Sequence, residues 1–201
     1  MGSTPPIVII VAALLPELGI GYQGKLPWRL SKEIKYFRDV TTGNKRNAVV
    51  MGRNTWNSIP NKFRPLKGRL NVVLSRTFQN ELVTPELYHA NSFDSAIDWI
   101  SKDKAHEIER IFVIGGGELY NTVINDSRTL HLLITEIKNN LGEEVPMDTF
   151  LKFPIYQQHQ QLEWKKMDED KLKKFVGEDI EISQNNIEGD YTYDFTLWER
   201  T

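Results

Sequence analysis

The apolar positions of this chain gather in short β-branched runs, with amphipathic stretches between them. Ile7-Val-Ile-Ile-Val-Ala-Ala13 is apolar throughout, which predicts a strand buried on both faces. Residues 47–52, 70–75, 111–114 and 130–137 repeat that character, and Tyr88-His-Ala90 suits a shorter strand. Leu30, Ile34 and Phe37 recur at i, i+4 and i+7, predicting a helix whose shared face meets the core, with Ser31 as its N-cap. Ser92 caps a second helix, whose apolar set is Phe93, Ala96, Ile97 and Ile100. The charged run from Lys165 to Lys174 reads as a solvated loop or face. Tyr191 to Trp198 alternates, as an antiparallel strand does. Strands alternating with helices over residues 7–137 predict a parallel α/β sheet, within one domain spanning 1–201.

Bulk properties narrow the function classes. At 201 residues the chain is long enough for one well-cored domain. A net charge of −2 gives no sign of a nucleic-acid or membrane surface. The absence of cysteine excludes disulfides, thiol catalysis and cysteine-ligated metals, and it fits a reducing, cytoplasmic setting. His89, His106, His131 and His159 show no metal-ligand spacing, so no metal is expected. The run Ile7–Leu15 is too short to cross a bilayer and lacks a basic leader. Met1-Gly2 opens a myristoylation pattern that Pro6 breaks.

Candidate chemistry clusters near the first helix and at the strand ends. Glu33 lies three residues after Leu30 and four before Phe37, so it projects toward an apolar face. Two readings stand: a wet first-turn glutamate that favours the helix dipole, or a buried acid at the base of a pocket for a polar heterocycle. Gly19-Ile-Gly-Tyr-Gln-Gly24 matches GxGxxG, but it does not open a helix directly after a strand, so it reads as a flexible loop near a site. Gly52-Arg53 with Thr55, Ser75-Arg76 and Gly115–Gly117 mark three strand ends on one sheet edge. Uncapped N–H groups and arginines there suit phosphate, and the arginines favour a 2′-phosphate, hence NADPH over NADH.

These residues fall in an order that resembles the dihydrofolate reductase family of the fungal or broadly eukaryotic type. The resemblance is carried by residues 9–13, 19–30, Glu33, Met51–Pro60, Leu74–Arg76, Ile114–Tyr120, Ile134–Glu136, Met147–Phe150 and the terminal alternating strand. It implies a mostly parallel sheet of about eight strands flanked by helices, the last strand antiparallel. It also implies NADPH-dependent reduction of dihydrofolate, inhibition by antifolates such as methotrexate, and a monomer.

Residue by residue, the resemblance makes Glu33 the acidic anchor of the pterin, held by a hydrogen bond from Thr135. Trp28 positions a water, Leu26 covers the contact between nicotinamide and pterin, and Tyr120 closes the site. Ile10, Val11 and Ile114 line the pterin pocket, the two isoleucines partly through backbone carbonyls. Phe37, Ile59, Phe63 and Leu66 pack on the aminobenzoyl ring, Arg69 pairs with the α-carboxylate of the glutamate tail, and Ile34 and Ser58 are further substrate-binding positions. The cofactor positions are Ala12, Ile20, Gly24, Lys25, Gly52, Arg53, Asn54, Thr55, Ser75, Arg76, Gly115, Gly116, Gly117, Glu118, Leu119 and Tyr120. Asn54 departs from the lysine usual in fungal relatives, so the phosphate rests more on Arg53 and Arg76. Two rivals are a non-catalytic nucleotide or pteridine binder, which fold alone would not separate, and a reductase of a riboflavin-pathway pyrimidine.

Overall fold

The computed structural model describes residues 3–155 and 163–201, so Met1, Gly2 and His159 lie outside it. The apolar run at the start is strand β1 (Ile7–Leu14), followed by the short β2 (Gly19–Gly21), helix α1 (Ser31–Thr42) and β3 (Asn47–Gly52). Helix α2 (Arg53–Ser58) leaves β3 directly, and β4 (Arg69–Leu74), β5 (Glu81–Thr84) and β6 (Leu87–Ala90) follow. Then come α3 (Phe93–Trp99), β7 (Ile111–Val113), α4 (Gly117–Val123) and the long β8 (Thr129–Asn139). The chain ends with β9 (Thr149–Phe150), β10 (Trp164–Lys166), α5 (Glu169–Val176), β11 (Asn186–Glu188) and β12 (Tyr191–Arg200).

The sheet runs β10-β12-β8-β1-β7-β3-β4-β6-β5. From β8 to β6 all neighbours are parallel, and β12 lies antiparallel against β8. With the short β2, β9 and β11 it has 12 strands. The excess over eight comes from two- to four-residue pairings at the rim, too short to carry a periodic pattern.

Strand parity divides the interior. Ile7, Ile9, Val11 and Ala13 face one apolar cluster; Val8, Ile10 and Leu14 face the other, with α1 and α5. Continuous apolar runs are what a sheet covered on both sides requires.

Three expectations change here. The buried residues of α1 are Tyr36, Val40 and Thr41, whereas Ile34 is 47% exposed. Ser31 does not cap α1; it is the first helical residue, and its hydroxyl donates to Glu188. The charged run of the tail forms part of β10 and most of α5, because Leu172 and Val176 recur at i, i+4 and are buried. Asp168 caps α5 by accepting the Lys171 N–H at 2.9 Å. Ser92 caps α3 as its sequence suggests, accepting the Ser95 N–H at 3.0 Å.

Candidate functional site

Because β1, β3, β4, β7 and β8 run the same way, their carboxyl ends share one edge of the sheet. The segments leaving that edge carry most of the candidate residues. Glu33 sits in the first turn of α1 and keeps part of its surface open. Protein atoms nevertheless crowd its carboxyl, and this burial pushes its pKa up to about 7. No hydrogen bond or ion pair joins Glu33 to another described residue. Its charge reaches the phenols of Tyr36, Tyr120 and Tyr193, which burial first of all holds above the usual tyrosine pKa.

The expected bond from Thr135 to Glu33 is not made. Thr135 is buried in β8 between Ala12 and Phe195, while α1 carries the carboxyl separately. Four buried polar side-chain atoms lack a partner among the described residues, and two of them, Trp28 Nε1 and the Tyr36 hydroxyl, belong to residues that flank Glu33 in the chain. Buried polar groups are normally paired, so this concentration marks a place for a polar guest.

The apolar wall is assembled on the α1 side of the sheet. Ile10, Ala12, Trp28, Phe37, Ile59, Leu66 and Ile114 all join that one cluster. Val11 does not. As the next residue on β1 it faces the opposite layer, so its side chain leaves the pocket that the resemblance gave it. Leu26, Ile34 and Phe63 remain 57%, 47% and 57% exposed. Large apolar side chains left in water near a cleft are what an apolar ligand would cover. Ser58 donates to the Thr55 carbonyl at 2.6 Å, so its hydroxyl proton is already used.

Arg69 is buried and has no acidic partner among the described residues. Its Nε donates to the Lys67 carbonyl at 2.9 Å and its guanidinium to the Thr41 hydroxyl at 3.0 Å. Burial, and then the nearby Arg38, hold its pKa below the usual arginine value. A pinned guanidinium without a counter-ion is suited to grip a carboxylate.

Across the edge, the N-termini of α2 and α4 have no side-chain caps. The Gly52 N–H donates to the Gly115 carbonyl at 2.9 Å, drawing β3 against the glycine turn. Gly115 has φ +118°, and a Cβ there would lie 3.3 Å from the Tyr120 ring and 3.5 Å from Thr55 Oγ1. Gly117 is tighter still, since a Cβ would meet the Thr149 methyl at 2.7 Å. Only glycine fits such a turn. Arg53 lies over the Phe78 ring at 5.4 Å, Ser75 Oγ shares a 3.0 Å hydrogen bond with Thr77, and Arg76 stands 3.6 Å from Glu118. Asn54 is exposed. Ile20 and Leu119 pack on the far apolar cluster with Tyr120. Uncapped N–H groups, two arginines and a glycine cradle together fit the phosphates of a dinucleotide such as NADPH.

The glycine-rich segment is held by strand pairing and a closed turn. Gly19 and Gly21 pair with β9, and Gln23 and Gly24, at φ 50° and 75°, make a tight turn closed between Tyr22 and Lys25. Asp148 accepts the Gln23 N–H at 2.8 Å and donates its own N–H to the Gly21 carbonyl at 2.9 Å. An open cavity of about 640 Å³ lies behind this segment, between Leu14, Leu15, Lys138 and Phe150, and contains none of the candidate residues.

Sequence reasoning missed Tyr36, Asp148 and Glu188. Tyr36 was findable, one helical turn from Glu33 on the same side. Asp148 and Glu188 gave no local signal, because their partners are 125 and 157 residues away.

Known proteins match along the whole of this arrangement. The family model described as dihydrofolate reductase matches residues 7–186. The dihydrofolate reductase of Candida albicans is 51% identical over 98% of this chain and 99% of its own. That of Saccharomyces cerevisiae is 42% identical over 99% of both. Among solved structures, Schistosoma mansoni dihydrofolate reductase superposes with a TM-score of 0.74 at 29% identity, covering 99% of this chain and 100% of that one. With the family model covering most of its length and such relatives spanning nearly all of it, the chain belongs to the dihydrofolate reductase family.

Proposed function

We propose that this chain reduces dihydrofolate to tetrahydrofolate with NADPH. The observation that carries the proposal is the Glu33 carboxyl, desolvated, unpaired and set beside an apolar wall. A group in that state gains most from a flat heterocycle that offers adjacent N–H donors, as a pterin does. Arg69, pinned without a counter-ion, supplies a second anchor for a ligand that ends in a carboxylate. This pairing of anchors favours a folate over a riboflavin-pathway pyrimidine.

Bound NADPH would supply the hydride for C6 of the ring. The residues named for it are Gly52, Arg53, Thr55, Ser75, Arg76 and the turn from Gly115 to Leu119. Glu33 orients and polarises the ring, and a water held near Trp28 delivers the proton to N5. Leu26 and the turn at Gly24 and Lys25 limit bulk water at the reacting face. Tyr120 fixes the floor through its bond to Ile10. Holding two rings face to face is the largest contribution, since orientation converts an encounter into a near-unimolecular step. The proposal takes the chain as a monomeric single domain acting in the cytoplasm, supplying reduced folate for thymidylate and purine synthesis.

The test is loss of NADPH absorbance on adding dihydrofolate to the purified protein, with methotrexate as the block. No consumption, or consumption that methotrexate leaves untouched, refutes it.

A further inference from the structure

A helix exposes unsatisfied N–H groups in its first turn, and a polar residue at the N-cap usually takes them. In α1 that position is Leu30, which has no side chain for the task. Counting from it, Glu33 is the third helical residue. A glutamate at this place can turn back to the start of its own helix, as in the capping box, where it takes the N–H of the N-cap residue. Here Glu33 does not, and another carboxylate holds the next two N–H groups of the same turn. Glu188, on β11, accepts the Ser31 N–H at 3.0 Å, the Lys32 N–H at 3.3 Å and the Ser31 hydroxyl at 2.9 Å. The Tyr193 hydroxyl donates to the same carboxylate at 2.7 Å.

We propose that Glu188 is a positioning residue for Glu33: by capping α1 from outside, it releases Glu33 from capping and leaves that carboxyl free for the ring. The inference rests on the reading of Glu33 given above. Two carboxylates thereby divide two tasks that one glutamate at this position would otherwise combine.

Electrostatics agree with the division. Burial would raise the pKa of Glu188, but the donors from Tyr193, Ser31 and Lys32 outweigh it and hold it down at about 2, so it caps as a full negative charge. Glu33 has no such donors and rises to about 7. The titratable groups facing Glu33 are Tyr36 on its own helix, Tyr120 on α4 and Tyr193 on β12, all phenols held protonated. None of them competes for its charge as a cation would. Lys32 and Lys35, its neighbours on α1, are exposed.

The test is Glu188→Gln in the full-length protein, with the Glu33 carboxyl followed by carbon NMR against a Glu33→Gln reference. Freed N–H groups would recruit Glu33, so its midpoint should fall by about half a unit to one unit. Folate affinity should fall about threefold to tenfold, while NADPH affinity holds. Loosened packing would also lower the midpoint, by rehydrating a carboxyl that burial holds up. The shift therefore supports the inference only where amide exchange in α4 and β12 keeps the wild-type rate, and a shift accompanied by faster exchange there overturns it. Glu188→Asp, which keeps the charge on a shorter arm, should give an intermediate shift, and it carries the test if the glutamine variant does not fold. An unmoved midpoint in the folded variants overturns the inference. If Glu33→Gln leaves folate affinity intact, the reading of the site fails and the inference with it.

Discussion

The Tyr120 hydroxyl donates a 2.9 Å hydrogen bond to the carbonyl of Ile10, tying α4 to the middle of β1 from the far side of the sheet. Tyr120 belongs to one apolar cluster and Ile10 to the other, so this bond fastens the cofactor-side helix to the substrate-side wall. Tyr120→Phe should lower stability by about 0.5–1.5 kcal/mol, read by chemical denaturation. In the variant the Ile10 carbonyl regains the lone pair that Tyr120 occupied and can still accept from a ligand, so folate affinity should change less than NADPH affinity. A larger loss of folate affinity would assign Tyr120 to the substrate side.

Glu33 and Glu188 should give stability profiles of opposite sign. Glu33 has a folded pKa of about 7 against 4.5 for a free glutamate, so the native state binds the extra proton between these values. Stability from this group is therefore present at low pH and lost as pH rises through 7. Glu33→Gln should be more stable than wild type above neutral pH, by about 3 kcal/mol at most, with the gap closing toward pH 4. Its turnover should fall about 10²–10⁴-fold. Glu188 is held near 2, below its free value, so its contribution is present above 4.5 and lost as pH falls through 2. Glu188→Gln should be less stable at neutral pH and converge with wild type in acid. Thermal melts from pH 3 to pH 9 check both, and parallel curves for the two variants would refute the assignments.

The β-branched runs made the central strands legible, because a strand covered on both faces has no polar alternation to blur it. The face of α1 was read correctly at Leu30 and Phe37, which join the core cluster, and misread at Ile34 for a physical reason. Ile34 and Leu26 are apolar yet exposed, because hydrophobic spacing records which side chains avoid water and not whether protein or ligand will cover them. Val11 was placed in the pocket by the resemblance alone, and strand parity puts its side chain in the opposite layer. Contacts across the chain, such as Glu188 to Ser31 and Asp148 to Gln23, left no periodicity to read, and the Met147–Phe150 motif that holds Asp148 did not disclose its distant partner.

Arg69→Leu tests the second anchor. The guanidinium is fixed in advance by the Lys67 carbonyl and the Thr41 hydroxyl, so little ordering remains when a carboxylate arrives. A charge-assisted pair there contributes about 1.5–3 kcal/mol, which is roughly a tenfold to hundredfold rise in KM for dihydrofolate. A pterin without the glutamate tail should show almost no change. Equal effects on both substrates would remove Arg69 from the tail site. The variant should also lose some stability, since Thr41 gives up a buried partner.

Arg76 and Glu118 make the sharpest prediction on the cofactor side. Their charges stand 3.6 Å apart, yet the side chains are 92% and 89% exposed, so water weakens the pair to within about 0–1 kcal/mol. Such a pair can hold Arg76 near the glycine turn without competing strongly against a doubly charged phosphate. Arg76→Ala should therefore weaken NADPH binding and leave NADH binding nearly unchanged, narrowing the preference by about tenfold or more. Glu118→Gln frees Arg76 from its only ion-pair partner among the described residues, and it should tighten NADPH by up to about fivefold. The double variant should behave as Arg76→Ala alone, because Glu118 acts on the phosphate only through that arginine. Titration of both cofactors against the three variants at two salt concentrations reads this coupling, which added salt should weaken. If Glu118→Gln tightened NADPH and NADH alike, the glutamate would be repelling the shared diphosphate, and Arg53 would be left as the reader of the 2′-phosphate.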